Sequence, residues 1–309
     1  MINKINITVD KLKKEKNAII LAHFYQLPEV QELADYVGDS YSLAVKAKQL
    51  DSNIIVFAGV KFMAETAKIL NPKTKVLLPD LEAGCSLAES CPPEEFKKFK
   101  EQHPDHLVIT YINSSIEIKT MSDIVCTSSN AVKIVQSLPL ETKIIFAPDK
   151  NLGRYIMEKT GRKMVLWDGA CHVHNQLLAT HVIQMKQQHP KAVVVAHPEC
   201  QGPVLALADF IGSTNQIVEY SLHSKHEEII VATETGILHQ LKKNSPQKKF
   251  YIVSINKSCS CNDCNFMKLI TLDKILYSLE NEKYEIKVEE SVRKMALQPI
   301  ERMIELTEQ

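Results

Sequence analysis

The sequence predicts an α/β protein made of three homologous, Rossmann-like αβα units with parallel sheets, arranged with pseudo-threefold symmetry around a central active site. First, short apolar, β-branched runs alternate with helical patterns, which is typical of parallel sheets with helices on both faces. Second, this pattern occurs three times, at intervals of 88 and 86 residues. Third, an aspartate follows the first strand of every copy at the same distance of 12 residues. A strand pattern repeated at constant spacing indicates repeated structural units.

The first predicted strand of each copy ends in a histidine or a tyrosine. The three strands span residues 18–23, 107–111 and 192–197. The aspartates that follow them are Asp35, Asp123 and Asp209. A hydroxyl side chain lies five residues after each aspartate, at Ser40, Ser128 and Thr214. A further buried strand is predicted later in each copy, at residues 54–58, 144–147 and 229–232.

Each copy is predicted to run strand, helix, short strand, helix, strand, helix, strand. The helices predicted in and just after the first copy span residues 28–33, 42–50, 61–69 and 92–102. Asp39 or Ser40 is a suitable N-cap for the second of these helices, and Ser213 or Thr214 for its counterpart in the third copy. We place the units at residues 1–90, 91–177 and 178–309, the last ending in an amphipathic helix over 288–306. A single (β/α)₈ barrel is the alternative fold, but it would not require the threefold repeat.

Composition argues against several classes of protein. The chain has 309 residues, of which 45% are hydrophobic and 24% charged, so it can form a substantial core. Its net charge of zero argues against binding nucleic acid. The nine glycines form neither the dinucleotide-binding motif nor the P-loop motif. No apolar run approaches the roughly 18 residues of a membrane span, and the N-terminal residues lack the apolar region of a secretory signal. We therefore expect a cytoplasmic protein without membrane attachment.

The repeat also predicts a central binding site. Ligands of parallel α/β sheets bind beyond the carboxyl ends of the strands, and three units can direct those ends at one axis. The polar residues at or just after the first strands would then converge; they are His23, Tyr25, Tyr111, Asn113, His197 and Glu199. The hydroxyls of Ser40, Ser128 and Thr214 are predicted at helix N-termini, which favour anions. Such a pocket suits a small polyanion such as a dicarboxylate or a sugar phosphate.

A cysteine near the end of each copy predicts a metal site on the same axis. The three are Cys85, Cys171 and Cys264, separated by 86 and 93 residues. Three thiolates leave one coordination position open, which is typical of a catalytic metal. Thiolate ligands suit either zinc or an iron–sulfur cluster, and residue chemistry alone leaves both open. An iron–sulfur redox protein or a zinc scaffold is thus an alternative to an enzyme, but neither needs the ring of polar residues.

Several separated motifs, in the same order along the chain, resemble the quinolinate synthase family, the A protein of bacterial NAD biosynthesis. The similarity extends over residues 19–272 and is carried by AHFYQLPEVQELADYVGDS, AGCSLAES, TYINSS, CTSSNA, GACHVH, AHPEC, GSTNQI and CNFMK. The resemblance implies a transferase with an oxygen-sensitive [4Fe–4S] cluster held by Cys85, Cys171 and Cys264. The implied reaction condenses iminoaspartate with dihydroxyacetone phosphate to quinolinate, with loss of phosphate and two waters. It also implies a functional link to an L-aspartate-oxidising enzyme.

The same resemblance implies roles for individual residues. Glu199 is expected to be the general base, and Tyr25 an acid/base or positioning group near it. His23 and His197 are the other residues expected in catalysis. The residues expected to hold the substrate carboxylates and phosphate are His23, Ser40, Tyr111, Asn113, Ser128, His174, His197, Glu199, Ser213 and Thr214.

The third metal ligand has three candidates within six residues, Cys259, Cys261 and Cys264. The repeat does not decide among them, because the preceding loop is longer in the third copy. The family places its ligand just before a helical segment, and residues 266–272 read as such a segment. We therefore assign Cys264 and expect helix N–H groups to favour its thiolate. Ser258 stands where some members carry the first cysteine of a CxxCxxC run, which puts a redox switch there in doubt.

Overall fold

The computed structural model describes residues 2–254 and 262–308. Their strands form three separate four-stranded sheets, and every strand pair within them is parallel. In each sheet the order is second, first, third and fourth strand of the unit. This confirms the predicted α/β architecture of three similar units, and the single barrel is wrong.

The first sheet and its helices follow the predicted order. An N-terminal helix precedes them, α1 (Ile2–Lys16). The sheet consists of β1 (Ala18–His23), β2 (Tyr36–Gly38), β3 (Ile54–Ala58) and β4 (Lys75–Leu77). Its connections are α2 (Pro28–Leu33), α3 (Ser40–Gln49) and α4 (Lys61–Leu70). Two further helices lead to the second sheet, α5 (Ser86–Glu89) and α6 (Pro93–Glu101).

The second and third sheets repeat this plan. The second has β5 (Leu107–Tyr111), α7 (Ile116–Thr120), β6 (Ile124–Cys126), α8 (Ala131–Ser137), β7 (Ile144–Ala147), α9 (Lys150–Thr160) and β8 (Val165–Leu166). The linking helices are α10 (His172–Asn175) and α11 (Ala179–Gln188). The third has β9 (Val193–Ala196), α12 (Gly202–Leu205), β10 (Phe210–Ile211), α13 (Thr214–His223), β11 (Glu228–Ala232), α14 (Ile237–Asn244) and β12 (Lys249–Ile252). The last helices are α15 (Asn265–Lys268), α16 (Leu272–Asn281) and α17 (Glu290–Glu308).

Both faces of the sheets are covered, which explains their continuous apolar runs. In β9, Val193 and Val195 face the core shared with the other units. Val194 and Ala196 face a separate core on the opposite side of the sheet. The C-terminal helices also join the units: α16 packs on α1, and α17 packs on α4, α7 and α8. Within the described ranges, no helix is both long and apolar enough to cross a bilayer.

The regularly spaced aspartates tie the first two strands of each unit together. The Asp35 carboxylate accepts a hydrogen bond from the Ile20 backbone N–H at 2.8 Å. Asp123 and Asp209 make the same contact with Val108 and Val194, at 2.7 and 2.8 Å. The 12-residue spacing therefore reflects a repeated structural requirement rather than a repeated catalytic group.

Two of the three predicted helix N-termini are confirmed. Helix α3 begins at Ser40 behind the N-cap Asp39, and α13 begins at Thr214 behind the N-cap Ser213. The prediction for Ser128 is wrong, because α8 begins only at Ala131. Residues 127–130 instead form a turn, closed by a hydrogen bond from the Thr127 backbone N–H to the side-chain oxygen of Asn130 at 2.7 Å.

Candidate active site

One cavity lies at the carboxyl ends of all three sheets, and nearly every predicted site residue lines it. The lining includes His23, Tyr25, Ser40, Cys85, Tyr111, Asn113, Ser128, Cys171, His174, His197, Glu199, Thr214 and Cys264. These residues come from chain segments more than 230 positions apart. The convergence follows from parallel sheets whose carboxyl ends face a common centre.

Ser213 is the predicted substrate-binding residue that does not line this cavity. Its hydroxyl accepts a hydrogen bond from the Gln216 backbone N–H at 3.3 Å, as the N-cap of α13. The same hydroxyl donates to a carboxylate oxygen of Asp39 at 3.3 Å. Asp39, which does line the cavity, caps α3 through Ser42. Ser213 therefore joins the N-termini of two helices across the first and third units.

A chain of hydrogen bonds connects Tyr25 with Glu199. The Tyr25 hydroxyl lies 2.8 Å from Thr233 Oγ1, which lies 2.8 Å from His174 Nε2. The other ring nitrogen, His174 Nδ1, is 3.0 Å from Glu199 Oε2. Thr214 Oγ1 donates to the Tyr25 hydroxyl at 3.0 Å, and either hydroxyl can be the donor in the bond between Tyr25 and Thr233. The chain can pass a proton from the tyrosine toward the histidine.

Glu199 is a cavity carboxylate that is almost completely buried, with a side chain only 3% exposed. Burial acts to raise the pKa of Glu199, but the adjacent rings of His174 and His197 outweigh it and hold the pKa below its ordinary value. His197 Nδ1 lies 3.2 Å from Glu199 Oε2. The carboxylate is therefore ionised at neutral pH and can stabilise positive charge on either imidazole.

His23 has the opposite environment. Burial, reinforced by His197 and Lys268, lowers the pKa of His23 to about 3. The Tyr25 backbone N–H donates to His23 Nδ1 at 3.1 Å, which leaves the proton of the neutral ring on Nε2. The ring can thus offer one N–H donor to a ligand without carrying charge.

Two of the three tyrosines that line the cavity, Tyr25 and Tyr111, are held in the protonated form. Burial raises the pKa values of both Tyr25 and Tyr111 well above the usual range. Hydrogen bonds from Thr214 and Thr233 act in the opposite direction on Tyr25, and Ser128 does so on Tyr111. The hydroxyls of Thr214 and Ser128 therefore serve the tyrosines as well as facing the cavity.

Two buried oxygen atoms in the cavity wall lack a partner among the described residues. They are Glu199 Oε1 and Asn113 Oδ1. A buried polar atom without a hydrogen bond costs roughly 1–3 kcal/mol. Both residues line the cavity, so a polar ligand bound there would satisfy both atoms.

All three predicted metal-ligating cysteines occupy the same structural position. Cys85, Cys171 and Cys264 are the N-cap residues of the four-residue helices α5, α10 and α15. All three line the cavity. The assignment of Cys264 by its place before a helix is thus matched by the other two cysteines. Cys259 and Cys261, the competing candidates, lie outside the described residues.

The thiols do not ionise readily by themselves. Burial raises the pKa of Cys85 to about 12 and that of Cys264 to about 11. It also raises the pKa of Cys171. Helix N–H groups act on Cys264 in the expected direction, but burial outweighs them. A nearby thiolate at Cys264 would raise the pKa of Cys85 further, so a bound cation would favour the thiolate forms.

A smaller group of potential metal ligands lies in the same cavity. Ligand atoms of Cys171, His174 and Glu199 all lie within 4.8 Å of one another. His174 Nδ1 is 3.4 Å from Cys171 Sγ. The chemistry of this group and of the buried cysteines is consistent with a metal cofactor.

Polar residues that follow the third strand of a unit also contribute to the site, although the sequence-based predictions do not include them. Thr233 and Glu234 follow β11, and Asp149 follows β7. Thr233 completes the hydrogen-bond chain, and Glu234 lines the cavity. Residues 144–147 and 229–232 are themselves predicted as buried strands, so the polar residues that follow them are equally candidates for the site.

Comparison with known proteins agrees with the resemblance seen in the motifs. The family described as NadA, Quinolinate synthetase A protein, matches residues 7–305. A protein of Synechocystis sp. named Quinolinate synthase is 56% identical over 97% of this chain and 94% of its own length. Proteins with the same name from Nostoc sp. and Chloroherpeton thalassium are also 56% identical, over 97% of this chain and 92% and 93% of their lengths.

Proposed function

Because the chain belongs to the quinolinate synthetase A protein family, we propose that it condenses iminoaspartate with dihydroxyacetone phosphate to form quinolinate. Phosphate and two waters leave, and no net oxidation or reduction occurs. The single observation that carries the proposal is that one cavity combines three N-capping cysteines with the Tyr25–Thr233–His174–Glu199 chain. An electron carrier or a zinc scaffold would not need that chain.

The cavity suits small anions although it has no ordinary cationic side chain. Neither lysine nor arginine occurs among the described residues that line it. Helices α3 and α13 instead begin at Ser40 and Thr214, and both residues line the cavity. The N-terminal N–H groups and positive dipole end of α13, whose N-cap is the neutral Ser213, favour carboxylate and phosphate groups, whereas the N-terminus of α3 already carries the Asp39 carboxylate. His23 and Asn113 add polar contacts that would orient the two substrates.

We assign the metal cofactor as a [4Fe–4S] cluster held by Cys85, Cys171 and Cys264. The residues fit such a group, since three partly buried, unpaired thiols line one cavity. A single tetrahedral zinc ion, with Zn–S bonds of about 2.3 Å, would bring its sulfur ligands to about 3.8 Å from one another. Among the described residues, only the atoms of Cys171, His174 and Glu199 form a group within 4.8 Å, so at least one pair of the three sulfur atoms lies farther apart than that. This spread favours a cluster over one zinc ion.

When bound, a cluster with three cysteine ligands supplies a Lewis-acidic iron that can polarise a substrate hydroxyl for departure. The chain's own residues supply proton transfer. Tyr25 gives its phenolic proton to Thr233 as the Thr233 proton passes to His174 Nε2. The ionised Glu199 stabilises the imidazolium that forms. The resulting Tyr25 phenoxide can take a carbon-bound proton from the substrate, and Glu199 Oε1, which has no partner among the described residues, is available as the general base that the family resemblance implies.

The reaction belongs to the transferases and, by its product, to NAD biosynthesis in the cytoplasm. Iminoaspartate forms by two-electron oxidation of L-aspartate, so an L-aspartate-oxidising enzyme is the functional partner that would supply it. Amino-acid side chains do not accept hydride, so we assign the oxidation of aspartate to that separate enzyme. The proposal therefore requires two enzymes, one that oxidises L-aspartate and one that condenses the iminoaspartate formed.

The hydroxyl of Ser128 provides a test of anion binding. Ser128→Ala removes a cavity hydroxyl beside Tyr111 and is expected to weaken substrate binding, raising KM by about 10-fold with the cluster retained. Ser129→Ala is the matched control, because the Ser129 hydroxyl bonds Thr127 and does not line the cavity. Steady-state kinetics of both variants would show this difference. Equal KM values would mean that Ser128 does not contact substrate.

The cofactor assignment is tested by purifying the protein without oxygen and measuring iron, sulfide and the absorption spectrum. We expect equimolar iron and sulfide at the level of one cubane per chain, with a broad brown absorption. A colourless protein that contains one zinc ion per chain and takes up neither iron nor sulfide would contradict the assignment.

A further inference from the structure

We propose that Asp149 and Glu234 are repeat-equivalent positioning residues that hold the backbone of two cluster-ligating cysteines. The inference rests on the proposed function, since it concerns residues that would surround the cluster. Both carboxylates are fully buried, and neither is one of the predicted ligands. Each is the second residue after the third strand of its unit, β7 or β11.

In the second unit, Asp149 links a ligand to a long helix. One carboxylate oxygen accepts a hydrogen bond from the Cys171 backbone N–H at 3.0 Å. The other accepts from the Leu152 N–H at 2.7 Å and so caps α9. The carboxylate therefore fixes where the Cys171 main chain lies relative to the sheet.

In the third unit, Glu234 does the same for Cys264. Its Oε1 accepts a hydrogen bond from the Cys264 backbone N–H at 3.0 Å, and its Oε2 accepts from the Gly236 N–H at 2.6 Å. Lys268, on the helix that Cys264 caps, lies 2.9 Å from Glu234 Oε1. Lys268 also donates to the backbone oxygen of Tyr25 at 2.6 Å. The Glu234 contacts thus join the third ligand to the chain segment of the reactive tyrosine.

The first unit has no carboxylate at the corresponding position. Val60 is the second residue after β3. The chain leading to Cys85 is held there by a backbone contact, in which the Lys61 N–H donates to the Ala83 oxygen at 2.8 Å. The second unit has the equivalent backbone contact, from the Lys150 N–H to the Gly169 oxygen at 2.9 Å, so the Asp149 carboxylate adds a second attachment to it.

This arrangement has a physical reason in the weak local structure of the ligand loops. Helices α10 and α15 have four residues each, too few to be stable on their own. A buried carboxylate that accepts two backbone N–H groups supplies rigid, charge-assisted bonds in their place. Residues that orient the ligands of a metal typically change its affinity by about 10- to 100-fold when replaced.

The test uses Asp149→Asn and Glu234→Gln, which keep the shape of each side chain but replace one accepting oxygen by a donor facing an N–H. Each variant and the parent protein would be loaded with cluster anaerobically and then exposed to an iron chelator. We expect both variants to lose iron at least 10-fold faster than the parent. Asp209→Asn is the control, since the Asp209 carboxylate also accepts a backbone N–H, from Val194, but lies on no ligand loop. It is expected to release iron at the parental rate.

The outcomes separate this inference from the proposed function. If the parent takes up no iron and sulfide, the cluster assignment fails. If the parent loads normally and both variants retain iron as well as Asp209→Asn does, the positioning role is wrong. Should a variant not fold, hydrogen exchange in the metal-free parent provides the answer. The Cys171 and Cys264 amides should exchange slowly, and rapid exchange of both would refute the role.

Discussion

Cys264→Ser is expected to lose the cluster and all activity, as are Cys85→Ser and Cys171→Ser. The three cysteines occupy the same N-cap position of three short helices and line one cavity. A hydroxyl is a poor ligand for iron and, when buried, will not ionise to replace the thiolate. Iron and sulfide analysis with absorption spectra of the three anaerobically purified variants would measure the loss.

Cys261→Ser and Cys259→Ser are the matched controls for Cys264→Ser. Both replace a cysteine of the same short stretch of sequence, and both should keep the brown colour and most of the activity under anaerobic conditions. A colourless Cys261→Ser protein beside a brown Cys264→Ser protein would overturn the choice of third ligand. In that case the site would still have three thiolate ligands, with a different cysteine as the third.

Glu199→Gln is expected to lower turnover by roughly 100-fold or more while the cluster remains bound. The amide keeps the size of the side chain but cannot stabilise an imidazolium on His174, 3.0 Å away. Proton transfer from Tyr25 through Thr233 to His174 would then lack the negative charge that favours it. Turnover under saturating substrates, together with iron content, separates lost chemistry from a lost cofactor.

Glu219→Gln provides the control for this change. Glu219 also pairs with a histidine, His223, but on the surface, where the pair contributes little. Its replacement should leave both turnover and iron content at parental values. Near-parental turnover in Glu199→Gln would remove Glu199 from the mechanism, and loss of its cluster would assign the residue a structural role.

Much of the architecture follows from local sequence patterns. The strands of a parallel α/β sheet are buried on both faces, so they appear as continuous apolar runs such as Ala18–His23 and Ile54–Ala58. The 12-residue spacing to Asp35, Asp123 and Asp209 revealed the repeat because each carboxylate bonds the first strand of its own unit. Short-range structural requirements of this kind produce regular spacings of residues in a sequence.

The position of the site was also predictable, because topology brings the carboxyl ends of the strands together. The roles of individual residues are less predictable. Ser213 has the residue type and position expected of a substrate contact, yet its hydroxyl caps α13 and bonds Asp39. Ser128 resembles a helix cap in the repeat, but the side chain of Asn130 closes a turn ahead of α8. Such outcomes depend on which of the neighbouring groups forms the hydrogen bond.

The buried carboxylates illustrate a further limit of repeat analysis. The corresponding positions hold Val60, Asp149 and Glu234, three residues with different chemistry. Matching the copies by residue type therefore does not reveal the contacts that Asp149 and Glu234 make with cysteine backbones. Thr233 is hidden for the same reason, since its importance lies in joining Tyr25 to His174 across two units.

The central claim is that this cavity makes quinolinate from two small anionic substrates. It is tested most directly by incubating the anaerobically purified, iron- and sulfide-loaded protein with iminoaspartate and dihydroxyacetone phosphate and quantifying quinolinate and inorganic phosphate. The account predicts both products in equal amounts, with neither formed when one substrate is omitted or when Glu199→Gln replaces the parent over the same short interval. A fully loaded parent protein that consumes neither substrate and releases no quinolinate would contradict it.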